Sequence, residues 1–216
     1  RSFHPIQHRQ KKSRARFLML APRKKLWSTP SCAIHIAAKL ANPGSNDILY
    51  DVGCGDGRVL VQLASQTTCR TLIGIEIDEQ RAAEAQENIT NAIKSGCIPP
   101  GTTVTIRCEN ALEVDYSDAT VVFLYLVPRG LRLIKSLLLR GRIKPPETER
   151  AGGSVVASPD LLPPLRVVTY MAPFVDEKYE RKEVCKVDHQ QGAEWPIYLY
   201  TLGDGGNAAN ESEEKR

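Results

Sequence analysis

Two acids and three glycines share the seven residues DVGCGDG: Asp51, Gly53, Gly55, Asp56 and Gly57. An apolar run, ILY, leads into them and RVLVQLASQ follows, so the glycines occupy a turn between a strand and a helix. Such a turn ordinarily offers bare amides and a helix N-terminus to a phosphate. A dinucleotide loop spaces its glycines GxGxxG. Here the spacing is GxGxG, and Arg58 stands where the third glycine would be. Carboxylates at Asp51 and Asp56 would repel a pyrophosphate and attract a cation. Capping of the following helix is the plainer role for Asp56. Cys54 is small enough to fit between the glycines, and Arg58 is expected to pair with a surface acid.

Glycines beside acids suit a nucleoside that lacks phosphate and carries positive charge. S-adenosylmethionine, with its ammonium and sulfonium, has that character. The glycines would let the backbone approach where a Cβ would collide. Two later strand ends agree. Glu76 closes the run TLIGIE about twenty residues beyond the glycines, where a carboxylate can accept from both ribose hydroxyls; Ile77 follows it. The run TVTIRC ends in Glu109-Asn110-Ala111. The Asn110 side chain can meet an adenine amino group, and the Ala111 amide a ring nitrogen.

The elements that must hold these residues alternate. Thr29 is placed to cap a helix with Pro30 at its first position and SCAIHIAAKLA as its apolar face. Asp78 opens a helix that Gly96 ends, and Pro128 starts another. Five strand patterns, ILYDVG, TLIGIEI, TVTIRCEN, ATVVFLYL and LRVVTYM, alternate with these helices. Near-continuous apolar strands between helices imply an α/β fold with a parallel sheet covered on both faces. Ligands bind there beyond the strand carboxyl ends. Residues 144–164, rich in Pro and Gly, are expected to form a loop or insertion. KYERKEVCKVD and WPIYLYTL, joined by HQQGAE, give a closing hairpin.

The chain of 216 residues, 42% hydrophobic and 25% charged, has the composition of a globular domain without a membrane-spanning run. Its net charge of +4 is unevenly spread: residues 1–46 hold ten Lys or Arg and no acid. That suits a solvated arm, a remnant of an organelle-targeting peptide, or a patch for anionic lipid or nucleic acid. Six scattered cysteines without zinc spacing are expected to be reduced, buried thiols, and no metal site is expected. The organisation expected is a basic, flexible arm over 1–28, one domain over 29–202, and a disordered polar tail over 203–216.

DVGCGDG and GIEID, in this order and at strand ends, resemble the first two motifs of the class I S-adenosylmethionine-dependent methyltransferases, over roughly residues 29–202. The resemblance implies a Rossmann-like, doubly wound, seven-stranded and mostly parallel sheet with a C-terminal antiparallel hairpin. It implies that Asp51 and the Gly53–Gly57 backbone hold the methionine part, that Glu76 holds the ribose, and that Asn110 lies beside the adenine. Many members carry Asp where Asn110 stands. S-adenosyl-L-homocysteine would be the product.

WSTP before the leading helix, IEIDEQRAAEAQ, ATVVFLYLVP and RVVTY are further similar to the small mitochondrial-type protein-lysine methyltransferases and their bacterial relatives. That resemblance implies a protein substrate, lysine methylation and a mitochondrial setting, with anionic membrane nearby through the arm. A cytoplasmic or nuclear place, and a nucleic-acid or small-molecule acceptor, stay open, as does an inactive cofactor-binding partner subunit. LYLVP lacks the [DN]PP[YF] turn of amide- and base-directed relatives. Tyr125, with the carbonyls of Leu124 and Leu126, is therefore the candidate to orient an amine, its bland alternative being a core strand residue. Trp27 is expected to anchor the leading helix, and His35 to be a packed residue on that helix's apolar face.

Overall fold

The computed structural model describes residues 28–142, 162–187 and 193–203. Seven strands form one sheet: β1 Ile48–Val52, β2 Thr71–Glu76, β3 Thr103–Cys108, β4 Val121–Leu124, β5 Leu165–Tyr170, β6 Arg181–Val187 and β7 Ala193–Leu202. Their order is β3-β2-β1-β4-β5-β7-β6. The first five run parallel, and β7 lies antiparallel between β5 and β6. This is the Rossmann-like methyltransferase architecture expected, closing hairpin included. Strand order reverses between β1 and β4, so the turn after β1 opens into the crevice where this fold places ligands.

Side chains alternate across the sheet, as strand geometry requires. Leu49, Leu72, Phe123 and Val168 pack under α1 Ser31–Ala41, α2 Arg58–Gln66 and α3 Glu79–Lys94. Tyr50, Ile75, Leu124 and Val167 pack under α4 Pro128–Leu138. The capping signals largely hold. Asp78 accepts from the amides of Gln80 and Arg81, Gly96 takes φ +76° behind α3, and Pro128 opens α4. Thr29 is a correction: α1 begins one residue later, Pro30 occupies the cap position, and no side chain caps it. His35 is another, being exposed and 3.3 Å from Gln66 rather than packed.

The cysteine expectation is corrected as well. Cys32, in the first turn of α1, is disulfide-bonded to Cys185 of β6, with Cα atoms 6.3 Å apart. Cys54 and Cys69 are buried free thiols, whereas Cys97 and Cys108 are exposed. The pairing joins residues 153 positions apart, which spacing alone cannot reveal.

Among the described residues, Arg142 is the largest side chain without solvent exposure. Its guanidinium donates to the carbonyls of Leu138, Tyr116, Ser117, Ala119 and Pro163, tying the end of α4 to the β3–β4 loop. Burial lowers its pKa, and Asp115 and Asp118 oppose that. The charge persists because five acceptors replace its water. Among the described residues no helix is long and apolar enough to cross a membrane. The arm through Trp27, most of the 144–164 segment, His189 and the tail beyond Gly203 lie outside the described residues.

Candidate functional site

The turn after β1 is fastened to β2 before it reaches α2. The amides of Gly53 and Cys54 both donate to the Ile75 carbonyl, at 2.8 and 3.0 Å. Gly53, Gly55 and Gly57 take φ of +83°, +56° and +77°, the left-handed region that other residues enter only at a cost. Gly57 has a second constraint, since a Cβ there would lie 3.2 Å from the Ala85 Cβ of α3. Gly74, in the middle of β2, was not singled out in the sequence. A Cβ at Gly74 would come within 2.7 Å of Cys54 Sγ and of Leu60 Cδ1. This bare strand position lets the loop and α2 settle on the sheet. A glycine inside a strand often marks such an approach, so the signal was present.

Asp51 lies in β1 between Gly74 of β2 and Phe123 of β4, and is 3% exposed. Its Oδ2 has no hydrogen-bond partner. Burial, then the charges of Glu76 and Asp56, push its pKa up to about 8. A buried orphan carboxylate is costly to leave unmatched. An ammonium is the complement it lacks.

Asp56 stands differently. Its carboxylate receives the Arg58 guanidinium, with Nε 2.9 and 3.0 Å from its two oxygens, so the expected pairing of Arg58 is met inside the loop. Burial raises the Asp56 pKa, but the hydrogen bonds from Arg58 outweigh it and hold the group below the usual carboxylate range. The cap position of α2 belongs to Gly57 without a side-chain cap. Asp56 accepts from the Arg58 amide only at 3.3 Å, so it bonds the guanidinium more closely than it caps the helix.

Glu76 ends β2, buried, and its carboxylate is already organised. Oε2 accepts from the Gly55 amide at 3.0 Å, and Oε1 from the amides of Ile77 and Asp78 at 2.8 and 3.0 Å. A carboxylate offers about four acceptor directions. Glu76 therefore locks the glycine loop to the β2–α3 turn and keeps one direction, on Oε2, for a ligand hydroxyl. Ile77 beside it is 41% exposed, an apolar surface on the rim of this crevice.

Past β3, Asn110 accepts from the Leu112 amide at 2.9 Å and donates to Glu113 at 2.8 Å. Its oxygen keeps one lone pair for an amino group. Ala111 is buried, with its carbonyl bonded by the Tyr116 hydroxyl. Burial pushes the buried Cys54 thiol up, so it stays protonated and acts by its size.

Tyr125 follows β4, half-buried, with its ring edge-on to Tyr170 at 4.8 Å. Burial pushes its hydroxyl up to about 12. Leu126 lies 3.8 Å from where a Gly53 Cβ would be, so the β4 lip meets the glycine loop directly. Met171, half-buried just past β5, and the buried Tyr170 both touch Tyr125, neither having been picked out from sequence. Among the described residues, no three His, Cys, Asp or Glu gather as a metal site would need.

The ANTKMT methyltransferase domain family matches residues 51–145. Over 176 residues the chain is 30% identical to a protein-lysine N-methyltransferase of Saccharolobus islandicus, spanning 82% of this chain and 92% of that protein. The chain belongs to the class I S-adenosylmethionine-dependent methyltransferases. A shorter likeness, 34% identical over 99 residues, joins this methyltransferase to an H3 lysine-79 specific histone-lysine N-methyltransferase of Dictyostelium discoideum; it covers 43% of this chain and 5% of that protein. In fold the methyltransferase is similar to an RNA methyltransferase from Salinibacter ruber solved with S-adenosyl-L-homocysteine, at a TM-score of 0.61, 24% identity, and coverage of 88% and 100% of the two chains.

S-adenosylmethionine is the methyltransferase's cofactor. The site's chemistry fits it. The unpartnered Asp51 Oδ2 suits an ammonium, the glycine turn leaves room that side chains would fill, and Glu76 has one acceptor direction for a ribose hydroxyl.

Proposed function

We propose that this methyltransferase modifies the side-chain amine of lysine in a protein. The observation that carries the reading is the relative from Saccharolobus islandicus, a protein-lysine N-methyltransferase aligned over most of both chains. The acceptor lip supports it. Tyr125, half-buried after β4 with its ring edge-on to the buried Tyr170, is the aromatic there, where a planar amide or base would call for a [DN]PP[YF] turn.

The cofactor supplies a methyl group on a positively charged sulfur, and its carbon–sulfur electron pair stays with that sulfur as the amine lone pair forms the new bond. The protein's work is to position and to dry the acceptor. Asp51 and the glycine turn fix the methionine end, and Glu76 fixes the ribose. A lysine with an ordinary pKa of ~10.4 is neutral in only about one molecule per thousand near pH 7.4. Desolvation on the lip next to a cation favours the neutral amine. Tyr125 stays protonated at neutral pH and so orients the amine rather than deprotonating it. The amine's proton leaves to solvent before transfer.

The test is incubation with radiolabelled S-adenosylmethionine and a fractionated cell lysate, followed by mass spectrometry of the labelled band. Label on a lysine side chain is expected. Turnover at saturating cofactor should climb by up to about tenfold per pH unit between pH 7 and 9 while deprotonation limits the rate. Label on nucleic acid, a small molecule or arginine would refute the acceptor assignment and leave the cofactor site standing. The basic arm over residues 1–28 is assigned to targeting or membrane proximity, in mitochondria, rather than to chemistry, on its nine bases and absence of acids.

A further inference from the structure

Two strand ends meet at the acceptor lip. The Tyr125 hydroxyl lies 2.9 Å from Met171 Sδ, across 46 residues of sequence. A thioether has no proton to give, so the direction of this hydrogen bond is fixed: Tyr125 donates and Met171 accepts. Both lone pairs of the phenol oxygen then remain for a donor. Most tyrosine hydroxyls can turn to give or to take, and this one is held as a taker.

The Met171 backbone is unusual in its own right. Its φ of +70° lies in the left-handed region, shared among described non-glycine residues only with Asn42 at the end of α1. Its amide donates to the Pro196 carbonyl of β7 at 2.8 Å, which holds the conformation in place. Backbone retained in a sparsely populated region tends to gather at functional sites. Here it turns the chain just past β5 and presents the thioether to Tyr125. Tyr170, packed edge-on against the same ring, sets the plane in which the hydroxyl sits.

We propose that Met171 is a positioning residue for the methyl acceptor: it holds the Tyr125 hydroxyl proton so that the phenol oxygen accepts an N–H of the incoming amine. With that N–H engaged, the amine lone pair is turned toward the cofactor's methyl group. A thioether has no proton of its own to offer, so it takes the phenol's proton without competing with the amine for the phenol oxygen. The inference rests on the reading of the acceptor as an amine, and its test has a part that needs no acceptor.

The variants are Met171→Leu, Met171→Gln, Tyr125→Phe and the Met171→Leu/Tyr125→Phe pair. Initial rates of label incorporation are measured in the fractionated lysate, and cofactor affinity by calorimetry. Met171→Leu should slow transfer about fivefold, the worth of one ordinary hydrogen bond, with cofactor affinity unchanged. Met171→Gln, whose amide oxygen accepts, should recover most of that loss. In the Tyr125→Phe background, Met171→Leu should cost nothing further. Without cofactor or acceptor, the Cζ resonance of carbon-13-labelled Tyr125, assigned through Tyr125→Phe, should move in Met171→Leu and return in Met171→Gln.

Equal losses in both backgrounds, a parallel loss of cofactor affinity, or an unmoved resonance would overturn the proposal. If Met171→Leu does not fold, Met171→Gln decides alone. A folded Gln variant with the resonance in place and turnover lost also overturns it. Should the label fall on something other than lysine, the proposed acceptor fails while the resonance still reports on Met171 and Tyr125.

Discussion

Replacing Asp51 by Asn should make the free protein more stable and its cofactor binding weaker. The carboxyl is buried, Oδ2 is unpartnered, and burial with Glu76 and Asp56 raises its pKa from 3.8 to about 8. A carboxyl that holds its proton more tightly when folded penalises the native state as pH rises. The penalty is absent below the unfolded pKa, grows from about pH 4 to 8, and is complete above the folded pKa. At pH 7 the elevation corresponds to roughly 4 kcal/mol. Asn removes the charge but keeps a buried polar group without a partner, which costs about 1–3 kcal/mol. The net gain is therefore roughly 1–3 kcal/mol at pH 7. For a chain of this size that raises Tm by about 2–4 °C per kcal/mol. The gain should shrink as pH falls toward 5 and the carboxyl of the unfolded chain nears its own pKa, so that it too takes up its proton. Cofactor affinity should drop by about 1.5–3 kcal/mol, the value of a hydrogen bond to a charged group. Thermal unfolding at pH 5, 7 and 8, with calorimetry at pH 7.5, makes the test. An Asn variant that melts lower than wild type at pH 8, or a difference independent of pH, would refute the electrostatic account. Unchanged cofactor affinity would remove Asp51 from the site.

Because Asp51 holds a proton near neutrality, cofactor binding should expel one; calorimetry at pH 7 in two buffers of different ionisation enthalpy should show a release approaching one proton, with affinity rising from pH 6 to 8. Glu76→Gln can keep the Ile77 and Asp78 bonds but sets an NH2 group against the Gly55 amide, so affinity should fall by about 1.5–3 kcal/mol; an unaltered dissociation constant would exclude the ribose role. Gly74→Ala drives a methyl into Cys54 and Leu60, and should cost about 1–3 kcal/mol of stability, read as a lowered Tm and displaced cofactor binding. Deleting residues 1–22 should leave turnover on a soluble or denatured substrate nearly unchanged, and a collapse of turnover with cofactor bound would put the arm in the active site.

What the sequence determined by itself was local. The GxGxG turn, the Asp78 cap, Pro128 and the alternation of apolar strands with helices are each encoded within a few consecutive residues, and they yield the parallel sheet and the crevice beyond β1. The acids at Asp51 and Glu76 were legible for the same reason, since each ends or nearly ends a strand. Only tertiary structure decided what those acids touch. Glu76 reaches back 21 residues to the Gly55 amide, and Asp51 Oδ2 is buried without a hydrogen-bond partner on a strand set between β2 and β4. The same holds for the Cys32–Cys185 disulfide and for the Tyr125–Met171 contact, which depend on which strands become neighbours. Strand order sets these meetings through long-range packing, and no spacing along the chain carries that information. Even the error at Thr29 has this character: the pattern named a cap, but the side chain is buried and α1 starts after Pro30.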